Sequence, residues 1–280
     1  MRGGGEYMGT GVKRVYLLDY GWLSGEMGYF IPDPSTWTEK LQNKMRLPEW
    51  VEIPVTGAVI EHEEGFVLMD LGSHPEAEKV WTKPVWEVFP MTKYSDENRV
   101  ENQLKKINLK PEDISFVVFT HLHLDHAGAG YLFSDIKTPL VAHKKEVMWA
   151  AYLMFLGKVG AYQPCDMDHL KGANWYLFDG ESFELLPGID LMWVGAHTPG
   201  SIIMRVVTNA GNTYIFTGDF VHLPKELEVE SKGWLLSDLD EYIIGLKKIK
   251  VLARRPKTHI VISHDPELWK KYPKAPKFLE

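Results

Sequence analysis

The sequence predicts an α/β protein in which short buried strands alternate with helices. Short apolar runs end repeatedly in turns, longer segments carry apolar residues at helical spacing, and no repeat or low-complexity segment interrupts this alternation. The chain of 280 residues, 45% of them hydrophobic and 25% charged, is long enough to bury a large core. The pattern permits two halves, each a sheet covered by helices, packed face to face as an αβ/βα sandwich.

Strands are predicted wherever a short apolar segment leads into a turn. Early strands are expected at residues 15–19, 55–61 and 66–70, and residues 63–65 join the last two as a hairpin. Further apolar segments of this kind cover residues 114–119, 139–142, 189–196, 213–218 and 259–263. Because strand ends are where loops carry functional side chains, the residues that follow these segments are the candidates for chemistry.

Helices are predicted at three places between the strands. Residues 95–107 begin with a polar cap at Ser95, residues 144–156 follow a strand, and residues 236–252 form the final helix, which leads into the last strand. The stretch 1–13 is rich in glycine and lacks an apolar core, so it is expected to be a flexible tail rather than a signal peptide. A single domain is therefore predicted over residues 14–280.

Charge and composition exclude several classes of protein. A net charge of −7 and the lack of a basic stretch argue against a nucleic-acid partner. No stretch reaches the ~18 apolar residues that a membrane span needs. Cys165 is the single cysteine, which excludes an internal disulfide and predicts a reducing, cytoplasmic setting.

A dense cluster of potential metal ligands follows the strand predicted at residues 114–119. His121, His123, Asp125 and His126 fall within six residues. Such a group is destabilising unless it binds something, whereas Zn²⁺ or a similar first-row metal accepts imidazole nitrogen and carboxylate oxygen together. Alternation along extended backbone directs His121 and His123 to the same side, and the turn beyond lets the other two reach a second point nearby.

Three more candidate ligands lie downstream, each at the end of an apolar segment. They are His197, Asp219 and His264. Together with the first cluster they make five histidines and two aspartates. This set is sufficient for two metal ions that share one carboxylate and leave a position open for water.

The motif HxHxDH, followed by a later His, a later Asp and a last His, resembles that of the metallo-β-lactamase superfamily. The resemblance covers residues 15–264 and implies a four-layer αβ/βα sandwich. It also implies two divalent ions, zinc first with iron, cobalt or manganese as alternatives. In that scheme one metal has the ligands His121, His123 and His197, the second metal has Asp125, His126 and His264, and Asp219 bridges both.

Within the superfamily, the segments at residues 15–21, 54–55, 68–72 and 263–265 and the motif HLDHAG resemble those of the N-acyl homoserine lactonases, which quench bacterial quorum signals. The resemblance implies opening of a lactone ring by a metal-bridging hydroxide that Asp125 helps to orient. Asp70, at a strand-to-turn junction, is expected either to accept a hydrogen bond from a ligand imidazole or to cap the turn. These lactonases usually carry a tyrosine three residues after the bridging aspartate. Here that residue is His222, which is expected either to donate a hydrogen bond or a proton in its place, or only to line the cavity or face solvent.

Two aromatic-rich segments, residues 21–50 and 80–94, lie outside the minimal scaffold. They are expected either to pack in the core or a homodimer interface, or to form an apolar wall for the acyl chain of the substrate. The wall would consist chiefly of Trp22, Met27, Trp81, Trp86 and Phe89, with contributions from Met148, Met154 and Phe155.

Other activities known in the superfamily stay open as alternatives. The nearest is an ester or thioester hydrolase resembling glyoxalase II, or one acting on a different lactone. A β-lactamase usually lacks the full seven-ligand set, and a nuclease would need a basic face. A degenerate, non-enzymatic metal-binding protein is disfavoured because the ligand set is complete.

Overall fold

The computed structural model describes residues 9–31, 49–158 and 160–280. Within these ranges the strands are β1 (Val12–Glu26), β2 (Trp50–His62), β3 (Gly65–Met69), β4 (Met91–Lys93), β5 (Ile114–Val118), β6 (Leu140–His143), β7 (Trp175–Phe178), β8 (Ser182–Leu186), β9 (Ile189–Trp193), β10 (Ile202–Val207), β11 (Thr213–Phe216) and β12 (Thr258–Val261). All the predicted strands are present, and β2 and β3 form the predicted antiparallel hairpin.

The strands form two sheets, which pack against each other as predicted. One sheet has seven strands in the order β4-β1-β2-β3-β5-β6-β7, and the other has five in the order β12-β11-β10-β9-β8. A buried cluster with members on both sheets, among them Val15, Ile60, Leu191 and Met204, fills the space between them. The strand alternation sends neighbouring residues such as Leu18 to the opposite face of the first sheet, which is a second core.

Most of the helices cover the outer faces of the two sheets, and the last one buries Trp269 in the core between the sheets. They are α1 (Ala77–Val80), α2 (Lys83–Val88), α3 (Val100–Lys105), α4 (Lys144–Leu156), α5 (Pro164–Leu170), α6 (Pro224–Val229), α7 (Leu239–Ala253) and α8 (Pro266–Lys271). Residues from α1, α3, α4 and α5 belong to the core on the outer face of the seven-stranded sheet, and residues from α7 pack on the five-stranded sheet. The αβ/βα four-layer sandwich is confirmed.

Several predicted boundaries need correction. β1 begins at Val12, inside the stretch predicted as a tail, because Val12 is buried between the sheets and pairs with His62. Residues 1–8 of that stretch lie outside the described ranges. The helix predicted at residues 95–107 is a 3₁₀ turn followed by α3, because Arg99 between them is extended with a ψ of 140°.

The helix predicted at residues 236–252 begins at Leu239, where the Asp238 carboxylate accepts the Glu241 N–H as an N-cap. Leu239, Ile243, Leu246 and Ile249 recur at helical spacing in the sequence, but Leu239 and Ile243 are 57% and 40% exposed. Leu246 and Ile249 of the same set are buried, and so is Tyr242, four residues before Leu246. This helix is not the final one, since α8 follows β12.

The direction of the strands brings the ends that carry candidate ligands to one edge of the sandwich. β3, β5 and β6 are parallel neighbours, so the residues after β3 and β5 emerge on the same side. β9 and β11 each pair antiparallel with β10 and therefore run in one direction, and β12 is parallel to β11. None of the helices in the described ranges is long and apolar enough to cross a membrane.

Candidate metal centre

The seven predicted ligands lie together at the edge of the sandwich. The loop after β5 carries His121, His123, Asp125 and His126, and the turns after β9, β11 and β12 carry the other three. Their donor atoms form two groups, each within 4.8 Å: His121, His123, His197 and Asp219 in one, and Asp125, His126, His264 and Asp219 in the other. The structure thus brings together every residue of the predicted set, in the grouping that the superfamily resemblance implies.

Asp219 lies between the two groups and offers one carboxylate oxygen to each. Its Oδ2 is 3.6 Å from His121 Nε2 and 3.4 Å from His197 Nε2. Its Oδ1 is 3.0 Å from His126 Nε2 and 2.8 Å from His264 Nε2. A carboxylate placed in this way can bind a different cation with each oxygen, as two-metal hydrolases require.

A tight turn sets the position of Asp219. Gly218, the residue before it, has a φ of +49°, and a Cβ atom there would lie 3.0 Å from the Cβ of Thr120. Any other residue would be strained in this conformation and would crowd the turn before His121. The glycine therefore lets the Asp219 turn approach the loop after β5.

Hydrogen bonds behind the imidazoles fix their orientation. His126 Nδ1 lies 2.8 Å from Asp70 Oδ2, His264 Nδ1 lies 2.7 Å from the Pro54 carbonyl oxygen, and His197 Nδ1 lies 3.1 Å from that of Leu235. Each contact requires the proton on Nδ1 and leaves Nε2 with its lone pair directed at the centre. Asp70, predicted to accept from a ligand imidazole, does so and also accepts the Thr120 N–H and hydroxyl.

Unpaired nitrogens in the centre fit a metal rather than a network of hydrogen bonds. Among the described residues, Nε2 of His121 is buried without a hydrogen-bond partner, and Nε2 of His126 is not in hydrogen-bonding geometry although Asp219 Oδ1 is 3.0 Å away. His123 Nδ1 lies 3.0 Å from His197 Nε2 and can donate to it, because His197 carries its proton on Nδ1; a bound cation would take the place of the proton between them. Buried polar atoms normally find partners, so divalent cations with imidazole and carboxylate ligands would satisfy atoms that the protein leaves unsatisfied.

The electrostatics of the two groups differ. Burial lowers the pKa of His121 and His197 well below the ordinary value and that of His123 to about 3, so these imidazoles are neutral and can bind a cation. Burial also opposes a charge on His126, but attraction to Asp219 and Asp125 outweighs it and raises the pKa of His126 well above the ordinary value. His126 therefore tends to keep a second proton, and a cation bound in this second group would displace it.

His222 also lies in the centre. Its Nε2 is 3.1 Å from Asp219 Oδ2, and its ring stacks on His264 with centroids 5.5 Å apart. Phe30 packs edge-on against the same imidazole, with ring centroids 5.3 Å apart. The imidazole is buried and borders the cavity above the ligands, so it can reach a bound substrate.

The cavity above the ligands has an apolar wall, but this wall is not the one predicted. Its apolar lining consists of Leu23, Phe30, Ile53, Phe89, Leu124, Ala161 and Leu235. Phe89 is the one residue of the predicted wall that lines it. Trp22 points the opposite way, because Leu23 faces the cavity and alternate residues of β1 face opposite sides, so Trp22 packs at the core between the sheets.

The other predicted wall residues lie elsewhere. Met27, Trp81 and Trp86 pack in the core on the outer face of the seven-stranded sheet. Met154 and Phe155 line a separate cavity of about 540 Å³ beside α4, and Met148 is 61% exposed. Leucine and isoleucine residues therefore supply most of the apolar surface that aromatic residues were expected to supply. Trp37 lies outside the described ranges.

Three further charged residues lie at the centre that were not predicted from the sequence. The Glu146 carboxylate accepts hydrogen bonds from Leu122 N–H, the Tyr162 hydroxyl, the Thr198 hydroxyl and Gly200 N–H. Glu226 and Lys232 surround His222, with their side chains fully buried. The available signal for Glu146 was its position four residues before the buried Ala150 on α4, where a carboxylate needs partners. No motif marks Glu226 or Lys232.

Comparisons with known proteins agree with this geometry. The N-acyl homoserine lactonase AiiA of Bacillus thuringiensis subsp. kurstaki is 27% identical over 222 residues, which are 78% of this chain and 83% of the relative. The N-acyl homoserine lactonase AttM of Azorhizobium caulinodans is 29% identical over 82% of this chain and 88% of its own length.

Solved structures show the same fold. An N-acyl homoserine lactone hydrolase with the product N-hexanoyl-L-homoserine bound at its catalytic metal centre superposes with a TM-score of 0.79 at 22% identity, over 96% of this chain and 99% of that one. The dizinc quorum-quenching lactonase AidC superposes with a TM-score of 0.64 at 17% identity, over 93% and 92%. The profile of the Metallo-beta-lactamase superfamily matches residues 51–264, and the chain belongs to that superfamily.

Proposed function

We propose that this protein is a dinuclear metallohydrolase that opens the ring of N-acyl homoserine lactones. The observation that carries the metal part is Asp219, whose two oxygens face two separate groups of imidazoles. The lactone part is supported by relatives named as N-acyl homoserine lactonases, which match about four fifths of the chain.

The ligand roles follow from the grouping of the donor atoms. His121, His123 and His197 would hold one divalent ion, Asp125, His126 and His264 the other, and Asp219 both. Imidazole and carboxylate ligands suit zinc best, with iron, cobalt and manganese as alternatives. Bound there, two cations supply an activated water molecule near neutral pH and polarise the ester carbonyl.

The protein's own residues would orient the reaction. Asp125, with an oxygen 3.7 Å from His126 Nε2 and the other 3.8 Å from His264 Nε2, can accept a hydrogen bond from the attacking water and fix its direction. His222 can donate a hydrogen bond to the carbonyl oxygen or a proton to the alkoxide that leaves when the ring opens. Leu23, Phe30 and Phe89 would contact the acyl chain and exclude water.

A hydrolysis screen on the zinc-loaded protein tests the proposal. The panel contains N-acyl homoserine lactones of short and long chain, thioesters, β-lactams and phosphodiesters. We expect the highest kcat/KM on a lactone, with the loss of activity in the Asp219→Ala variant as the control for contaminating esterases. A higher kcat/KM on thioesters would instead favour the glyoxalase-like alternative, and a phosphodiester would favour a nuclease.

Two finer proposals need their own measurements. The single cysteine in the sequence supports a reducing, cytoplasmic location, which fractionation of the source cells would test. A homodimer is supported by exposed aromatic residues such as Trp149 and Tyr152 on α4, and light scattering of the purified protein would test it.

A further inference from the structure

A buried trio of charged and polar side chains lies behind the metal centre. The side chains of Glu226 and Lys232 are 0% exposed, and that of His222 is 1% exposed. Burying an ammonium or a carboxylate alone costs several kcal/mol, and the cost falls only when the charges pair and the remaining polar atoms find partners. The lysine and the glutamate pair at 3.3 Å between Lys232 Nζ and Glu226 Oε2. Because these buried charges lie beside Asp219, a candidate metal ligand, they can affect the centre itself.

Lys232 holds the turn that carries Asp219. Its ammonium donates to the carbonyl oxygen of Asp219 at 2.7 Å and to that of Phe220 at 3.2 Å. Besides these two oxygens and Glu226 Oε2, the ammonium contacts His222 Nδ1, also at 2.7 Å. An ammonium has three protons and no acceptor, so the two contacts at 2.7 Å take one proton each and the two longer contacts share the third.

The contact with Lys232 determines which nitrogen of His222 carries the proton. A ring N–H at 2.7 Å from an ammonium would place two donors against each other, so Nδ1 has to accept. Glu226 Oε1, 3.1 Å from the same Nδ1, would favour the opposite tautomer, but the contact is longer. The other Glu226 oxygen accepts the His222 backbone N–H at 3.1 Å. The neutral ring therefore carries its proton on Nε2, which faces Asp219 Oδ2 and the cavity.

We propose that Lys232 is a positioning residue that keeps His222 in the Nε2–H tautomer, so that His222 acts as a hydrogen-bond donor to the oxygen of the substrate and not as a metal ligand. The proposal rests on the proposed lactonase function for the identity of that oxygen. The tautomer itself follows from the contacts of the protein alone. Phe30 and His264 both pack against the ring and restrict its rotation, so the donor has a fixed direction.

The tautomer explains how an imidazole can occupy the position where the resembling lactonases carry a tyrosine. A phenol offers one O–H donor, and an imidazole locked by Lys232 offers one N–H donor at a comparable place. Without Lys232 the nearest partner of Nδ1 would be Glu226 Oε1, which can only accept when ionised. Nδ1 would then take the proton, and Nε2 would carry a lone pair. That lone pair would repel the substrate oxygen.

Nitrogen NMR on histidine-labelled, zinc-loaded protein tests the tautomer directly, with His222→Gln to assign the signals. We expect the wild type to carry the proton on Nε2 and Lys232→Met to carry it on Nδ1. On the best lactone, Lys232→Met should lower kcat by about 10²-fold, the effect of losing one donor to a developing oxyanion, with little change in KM. Both variants at positions 222 and 232 should retain two metal ions.

A second substitution separates positioning from simple support of the fold. In the double variant Lys232→Met with Glu226→Gln, the glutamine amide can donate to Nδ1 from the place of Oε1. We expect the double variant to carry the proton on Nε2 again and to have a kcat at least about tenfold higher than that of Lys232→Met. Lys225→Met is the matched control, since Lys225 is exposed and pairs with Glu228 on the same short helix. It should behave as wild type.

The outcomes that overturn the proposal are specific. A wild-type His222 protonated on Nδ1 would overturn it, even if Lys232→Met failed to fold. Loss of kcat in Lys232→Met with an unchanged tautomer would also overturn it, as would loss of one metal ion in His222→Gln. If no lactone is hydrolysed by the wild type, the proposed function fails, whereas the tautomer measurement still decides the role of Lys232.

Discussion

Glu146 connects the two loops that carry the first group of ligands, and its replacement by glutamine is the most informative single change. One carboxylate oxygen accepts Leu122 N–H and the Tyr162 hydroxyl, both at 2.9 Å. The other accepts the Thr198 hydroxyl at 2.6 Å and Gly200 N–H at 3.2 Å. Leu122 lies between His121 and His123 in the sequence, and Thr198 follows His197. The carboxylate thus ties together all three histidines of that group.

The expected loss in the free energy of unfolding follows from counting the donors that a glutamine could still accept from. A glutamine can turn its carbonyl to only one pair, and its amide then faces a hydroxyl, which can rotate to accept, and a backbone N–H, which cannot. One buried N–H left unsatisfied costs about 1–3 kcal/mol, and the remaining hydrogen bonds lose the assistance of the charge. We therefore expect Glu146→Gln to lower the free energy of unfolding by about 2–4 kcal/mol.

The functional effect should be confined to one metal. The loops tied by Glu146 carry His121, His123 and His197, whereas the second group depends on Asp70 and on the carbonyl of Pro54. Outer contacts of this kind typically contribute about 10–100-fold in metal affinity. Competition titrations with a chromogenic chelator should therefore show one weakened zinc equivalent and one unchanged equivalent.

Urea denaturation and the zinc titration should be run beside Glu184→Gln, an exposed glutamate on β8 that serves as the control. We expect the control to match the wild type in both. The reasoning is refuted if Glu146→Gln loses less than about 1 kcal/mol and binds both zinc ions as the wild type does.

Four other substitutions test the centre, the cavity and the buried acid Asp166. Asp219→Ala should remove activity and most of the metal, measured by elemental analysis, and a variant that keeps two ions would contradict the bridging role. Phe89→Ala should raise KM more for long than for short acyl chains, by ~0.8 kcal/mol per methylene that loses contact, whereas Trp22→Ala should lower Tm and leave any chain-length preference unchanged. Burial raises the pKa of Asp166 to about 7 from 3.8, so the folded state binds more protons than the unfolded state between these values and loses stability as pH rises. Asp166→Asn should therefore gain stability relative to the wild type between about pH 5 and pH 8 in urea titrations, by at most ~1.4 kcal/mol per pH unit, and an equal difference at both pH values would contradict the raised pKa.

The metal centre could be predicted from the sequence because its ligands mark the ends of strands. Alternation in the loop after β5 and the apolar segments before His197, Asp219 and His264 are local signals, and the sheet topology then brings the strand ends together. The helix α4 was predicted with its observed bounds, Lys144–Leu156, because Gly157 in the left-handed conformation ends it sharply. Sequence patterns therefore predicted the ligand positions and the bounds of this helix, because neighbouring residues determine both.

The apolar wall of the cavity could not be predicted, because it depends on which face of each strand turns toward the cavity in the assembled sheets. Trp22 and Leu23 are neighbours in β1, and either could face the cavity until the pairing of the sheet is known. Both faces of β1 are buried in this four-layer fold, so hydrophobicity does not distinguish them. For the same reason the aromatic residues that stand out in the sequence belong mostly to the core.

The histidine three residues after Asp219, where the lactonases that the sequence resembles usually carry a tyrosine, is intelligible only together with Lys232 and Glu226. A tyrosine hydroxyl donates without help, whereas an imidazole has two nitrogens and donates from the correct one only if the other accepts. Lys232 lies 10 positions after His222 and makes it accept. Because no local pattern predicts that contact, the sequence alone leaves His222 as either donor or acceptor. A related chain with histidine at this position but without a buried cation beside Nδ1 should therefore show the Nδ1–H tautomer and a lower kcat on lactones, and the same NMR experiment would test it.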